Sequence, residues 1–107
     1  MRESMTIAVE GPWFFSAKDE DVFYSWLNSI PSVVAVGGVG TVVEVTFATK
    51  RLPQRDLREL LAIFHRYAMD KRVLAQFDRP QLAWFRDPKA YWYAEVFGRG
   101  RRGANRR

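Results

Sequence analysis

Residues Val33–Ala48, VVAVGGVGTVVEVTFA, hold two β-branched runs separated by Gly37-Gly38-Val39-Gly40. Valine and threonine favour extended backbone, and glycine accepts the positive φ that tight turns require. The pattern predicts a hairpin, with strands over Val33–Val36 and Thr41–Ala48. In the second strand Val43, Val45 and Phe47 fall on one side, and Val42, Glu44 and Thr46 on the other. Such alternation implies a sheet buried on one face. A phosphate-binding reading of the glycines fails, because no Gly-Lys-Ser/Thr follows and the segment leads into a strand.

Upstream, Met5–Glu10 (MTIAVE) alternates in the same way, with Met5, Ile7 and Val9 inward, and Gly11-Pro12 stops it. Ser16 stands three residues before Asp19, a start resembling a capping box. A helix is expected from Ala17 to Asn28, with Val22, Phe23, Trp26, Leu27 and Ile30 on its buried arc. Tyr24, Asp21 and Asn28 lie opposite. Pro31 ends this helix.

Downstream, Pro53 opens a second helix where its missing N–H costs nothing. Leu57, Leu60, Leu61, Phe64 and Ala68 form a strong stripe, bordered by Ile63 and Tyr67. Asp70 can cap a short helical piece that packs Leu74 and Phe77. Asp87-Pro88 is expected to start a last helix that stops at Gly98. On its wheel Ala90, Trp92, Tyr93, Ala94, Val96 and Phe97 face inward, while Tyr91 and Glu95 lie outside the arc. The predicted class is α+β, with about three strands, helices on one face and the order β-α-β-β-α-α-α.

Length and charge narrow the function. A chain of 107 residues makes one domain, expected over residues 1–98. Residues 99–107, RGRRGANRR, hold no large apolar side chain and are expected to remain a disordered tail. Residues 1–98 contain twelve Lys/Arg and twelve Asp/Glu, so the +5 net charge belongs to Arg99, Arg101, Arg102, Arg106 and Arg107. A basic face on the domain itself is not indicated. The tail has three readings: contact with phosphate backbones, contact with an acidic protein surface, or an inert solubilising extension. Cysteine is absent, which excludes disulfides and thiolate metal sites. No segment reads as a secretory leader or membrane span, and a cytoplasmic protein is expected.

Catalytic vocabulary is sparse. His65 is the only histidine, lies at the edge of an apolar stripe and has no acidic residue in register, so a half-buried structural role is expected. Asp19-Glu20-Asp21 diverge around the helix and suit its first turn instead of a metal. No catalytic residue, metal or cofactor is expected.

The stretch Trp84–Gly98, WFRDPKAYWYAEVFG, carries six of the sixteen aromatic residues. It resembles small bacterial immunity proteins of polymorphic and contact-dependent growth-inhibition toxin systems. Asp19–Pro31 (DEDVFYSWLNSIP) resembles the first helix of that family, and Asp56–Tyr67 (DLRELLAIFHRY) its central helix; Leu74-Ala75-Gln76-Phe77 extends the likeness. The early strand and the arginine tail fall outside the family pattern. The resemblance implies a non-enzymatic protein that binds a cognate toxin domain and occludes its active site or substrate access. Wheel positions nominate Asp21, Tyr24, Asn28, Tyr91 and Glu95 for that contact, where aromatic anchors and complementary charge would act. The alternative is a nucleic-acid-associated or regulatory protein working through the basic tail. A small enzyme and an assembly domain are weaker readings. Oligomeric state is left open.

Overall fold

The computed structural model describes residues 4–98; the expectation for 99–107 and its five arginines falls outside them. Three strands, β1 (Met5–Glu10), β2 (Val33–Val39) and β3 (Val42–Phe47), form an antiparallel sheet in the order β1-β3-β2. Both edge strands run antiparallel to the central β3, so β1 and β2 are parallel to each other. The connection between them carries α1 (Ala17–Asn28). After β3 come α2 (Gln54–Arg66), 3₁₀ turns over Lys71–Phe77 and Ala83–Arg86, and α3 (Tyr93–Phe97). The molecule is α+β.

The alternating pattern is realised on the sheet. Ile7, Val9, Val43, Val45 and Phe47 are buried, while Ala8, Glu10 and Glu44 are exposed. Phe23, Leu27 and Ile30 close over that layer, joined by Leu57, Leu60, Leu61, Ile63 and Phe64 from α2. Phe77 stands edge-on to Phe47, with ring centroids 5.1 Å apart, and so fastens the first 3₁₀ turn to the sheet. A side chain of this size contributes about 1.5–3 kcal/mol when fully buried.

Local chemistry explains the boundaries. Ser16 caps α1 by accepting from the Asp19 N–H, and the Asp19 carboxylate accepts in return from the Phe15 N–H. The reciprocal bond thus reaches one residue further back than in the usual capping box. Pro53 precedes α2, and the Asp70 carboxylate caps the Lys71–Phe77 turn.

The structure corrects several expectations. Pairing in the hairpin continues to Val39↔Val42, so only Gly40 and Thr41 turn. Gly40 has φ +61°, the glycine-first arrangement that II′ turns favour. Val34 is an extra residue in β2: pairing passes from Val33↔Phe47 to Ala35↔Thr46, and the unpaired Val34 is exposed. Ala68 is not in the α2 stripe. Its φ is +55°, its N–H donates to the His65 carbonyl and the Met69 N–H to the Phe64 carbonyl. This is a Schellman stop with alanine where glycine is preferred.

The last helix is much shorter than expected. Asp87 Oδ1 accepts from the Lys89 N–H in a turn, and i→i+3 bonds follow, Ala90 to Asp87 and Tyr93 to Ala90. The Trp92 indole donates to the Phe85 carbonyl at 2.8 Å, holding the chain back against the preceding turn. Of the six residues assigned to the inner arc, only Val96 is fully buried; Ala94 is exposed. In α1, Val22 is exposed and Trp26 half-buried, its indole turned outward to donate to Glu59 Oε1 of α2.

Candidate recognition surface

Gly11 sets the position of the segment that leaves β1. Its N–H donates to the Thr41 carbonyl at 2.8 Å, and a Cβ there would lie 3.0 Å from that oxygen and from Val43 Cγ2. Glycine therefore lets the chain hug the start of β3 before Pro12 turns it outward. Three consecutive aromatics follow, and they cannot all point inward. Phe14 takes the interior place, its ring 5.2 Å from Phe23, 6.1 Å from Tyr24 and 6.3 Å from Tyr67. Its neighbours face solvent: Trp13 is 79% exposed and Phe15 86%. These are the two most exposed large apolar side chains among the described residues.

Gly11, Pro12 and Trp13 line two grooves. The larger, about 580 Å³, also involves Phe15, Asp19, Arg66, Tyr67 and Ala68. The second, about 420 Å³, lies toward the β2–β3 turn and includes Glu10, Glu20, Tyr24 and Gly38. Both fall within the size range of ligand-binding clefts. Burial raises the Tyr67 hydroxyl pKa above its ordinary value, reinforced by the Asp19 charge and opposed by Arg66. Burial likewise raises Tyr24, with Glu20 adding to the effect.

The residues nominated from the sequence occupy two separate places. Asp21 is exposed and lines a shallow groove on α1 beside Lys18 and Val22. Tyr24 does not lie on an open polar face: it is half-buried against Phe14 and Phe23, because Phe14 folds back over α1. Asn28 is exposed, but its amide donates to the Tyr24 carbonyl one turn earlier. Tyr91 and Glu95 form the other group. Tyr91 is half exposed, its ring 4.4 Å from His65 and 4.9 Å from Trp92. Its pKa is raised by burial and then by the Glu95 charge. Glu95 accepts from the buried Lys71 ammonium. Among the described residues no hydrogen bond, ion pair or ring contact joins this group to Asp21, Tyr24 or Asn28.

His65 is exposed, not half-buried as expected, and its ring lies against Tyr91. Among the described residues no three His, Cys, Asp or Glu side chains converge as a metal-holding group. No described helix is long and apolar enough to cross a membrane. The surface that sequence reasoning missed is the one around Trp13 and Phe15. Its signal was present: three successive aromatics between the Gly11-Pro12 stop and the Ser16 cap belong to no periodic element. Comparison with family models, with curated proteins and with solved structures gave no match for this chain.

Proposed function

We propose that this chain is a non-enzymatic immunity protein that binds a cognate bacterial toxin domain in the cytoplasm and blocks its active site or substrate access. The observation that carries this reading is the solvent exposure of Trp13 and Phe15 on a loop whose base is fixed. Interface hot spots are enriched in tryptophan, and covering an exposed apolar pair with a partner's surface lowers the free energy. The family resemblance over Asp19–Pro31, Asp56–Tyr67 and Trp84–Gly98 supports the same conclusion independently.

In this reading Trp13 and Phe15 are the principal contacts, with the exposed Asp21 and Tyr91 as secondary ones. The half-buried Tyr24 packs against Phe23, the exposed Asn28 bonds back to the Tyr24 carbonyl, and Glu95 holds Lys71. The test is growth protection. A toxin reading frame encoded beside this gene is induced in a sensitive host, with and without the chain. Protection by the full chain is the expected result. Unchanged killing, with the chain present in folded form, contradicts the proposal.

A further inference from the structure

Two backbone ties hold the loop that carries Trp13 and Phe15. Upstream, the Gly11 N–H donates to the Thr41 carbonyl at 2.8 Å. Downstream, the Phe15 N–H donates to Asp19 Oδ2 at 3.0 Å. Between them a single aromatic slot, bounded by Phe23, Tyr24 and Tyr67, is filled by Phe14. Three aromatics in a row compete for that slot, and a slip of one residue would bring Trp13 or Phe15 inward and put Phe14 in water. Apolar transfer cannot choose between Phe14 and Phe15, because the two side chains are identical. Asp19 stands where the choice is made. It is half-buried, lines the same groove as Trp13, Phe15 and Tyr67, and is itself fixed at the start of α1 by its N–H, which donates to Ser16 Oγ at 3.0 Å.

We infer that Asp19 is the positioning residue of this loop: by holding the Phe15 backbone it selects Phe14 for the interior and keeps Trp13 and Phe15 presented to solvent in one arrangement before any partner arrives. A carboxylate accepting from a backbone N–H makes a charge-assisted bond, stronger than a neutral one. Moving Phe15 into the slot would break that bond and gain no apolar burial over Phe14. The tie therefore breaks the degeneracy that the sequence leaves between two adjacent phenylalanines. An arrangement set in advance spares a partner the cost of ordering two large side chains on binding. The inference rests on the immunity reading only for what the ordered pair is used for; the order of the loop is a property of the free chain.

The loop can be tested without any toxin. Amide hydrogen exchange and ring-to-ring nuclear Overhauser contacts are recorded on the full chain and on Asp19→Ala, Asp19→Asn and Ser16→Ala, each with its fold verified by circular dichroism. The wild-type Phe14 ring is expected to contact Phe23 and Tyr67, and the Phe15 ring to contact neither. In Asp19→Ala the Phe15 amide should exchange about tenfold faster or more, the factor that loss of a bond to a charged acceptor gives. Contacts from the Phe15 ring to Phe23 or Tyr67 should appear beside those of Phe14. Asp19→Asn keeps an acceptor oxygen and should restore most of the wild-type pattern. Ser16→Ala removes the helix cap and not the tie, so it should lower stability and leave the Phe14 and Phe15 signals in place. Lost stability in Asp19→Ala with those signals unchanged would reduce Asp19 to a helix-cap residue and overturn the inference, as would the same loop changes in Ser16→Ala. The toxin domain supplies a second readout: Asp19→Ala should bind it about tenfold more weakly, the scale of ordering two side chains, with Asp19→Asn near wild type. Equal affinity of wild type and Asp19→Ala would overturn the positioning role. A wild-type chain with the ordered loop and no affinity for the toxin would retire the immunity reading and leave the selection of Phe14 standing.

Discussion

Asp56 is a buried acid whose work is internal. Its Oδ2 accepts from the Ser32 N–H and hydroxyl, and its Oδ1 from Arg55 Nε, which ties the start of α2 to the entrance of β2. Removing it leaves the Ser32 donors without an acceptor in a dry place. Asp56→Ala should therefore cost about 1–3 kcal/mol in denaturant unfolding, whereas Glu59→Ala, which frees a partly solvated indole, should cost less than about 1 kcal/mol. Neither bond could be read from the sequence, because both depend on segments 24 and 33 residues apart meeting in the fold. The tyrosines make a pH prediction. In the folded state Tyr24, Tyr67 and Tyr91 hold their protons above the ordinary value of 10.0. The folded chain therefore binds those protons more tightly than the unfolded one. Their contribution is complete below pH 10 and is lost as pH rises through the elevated folded values. Tyrosinate absorbance should lag behind that of the unfolded chain, and thermal stability should fall above about pH 10; coincident titration curves would contradict this.

Among the elements, strands and the middle of helices were the readable parts. Val43, Val45 and Phe47 alternate strictly, and the Leu57–Phe64 stripe repeats every three to four residues, so periodicity alone assigned them. Ends were harder, because they depend on single backbone conformations. Ala68 terminates α2 in the left-handed region with no glycine to announce it. Ala68→Gly should relieve that strain and raise stability by about 0.5–1 kcal/mol. Gly40 is the mirror case: with φ +61°, Gly40→Ala should destabilise the hairpin by about 1 kcal/mol. Gly37 has an ordinary φ, and an added methyl would meet open space, so Gly37→Ala should be neutral or slightly stabilising. Chemical denaturation of the three variants checks the set. The last helix shortened for a similar reason: Trp92 reaches back to the Phe85 carbonyl, a tertiary bond that wheel geometry cannot contain.

At the scale of the whole molecule, the sheet turns one face to the core and α1 crosses over it, which leaves the β1–α1 loop at the rim. That placement explains why Trp13 and Phe15 stay uncovered while Phe14 between them is drawn into the interior. Wheel positions pointed to the faces of α1 and of the expected last helix, since a wheel ranks residues within helices and is silent about loops. Three of those nominees also make contacts inside the chain: Tyr24 packs on Phe23, Asn28 bonds along α1 and Glu95 accepts from Lys71. The proposed function requires the rim loop to be the place where a toxin domain is held. Calorimetric titration of that domain with the wild-type chain and with a Trp13→Ala/Phe15→Ala double variant, its fold verified by circular dichroism, tests this most directly. The predicted result is a loss of affinity of about a hundredfold or more, the scale of interface hot spots. Equal affinities for the two proteins would contradict it.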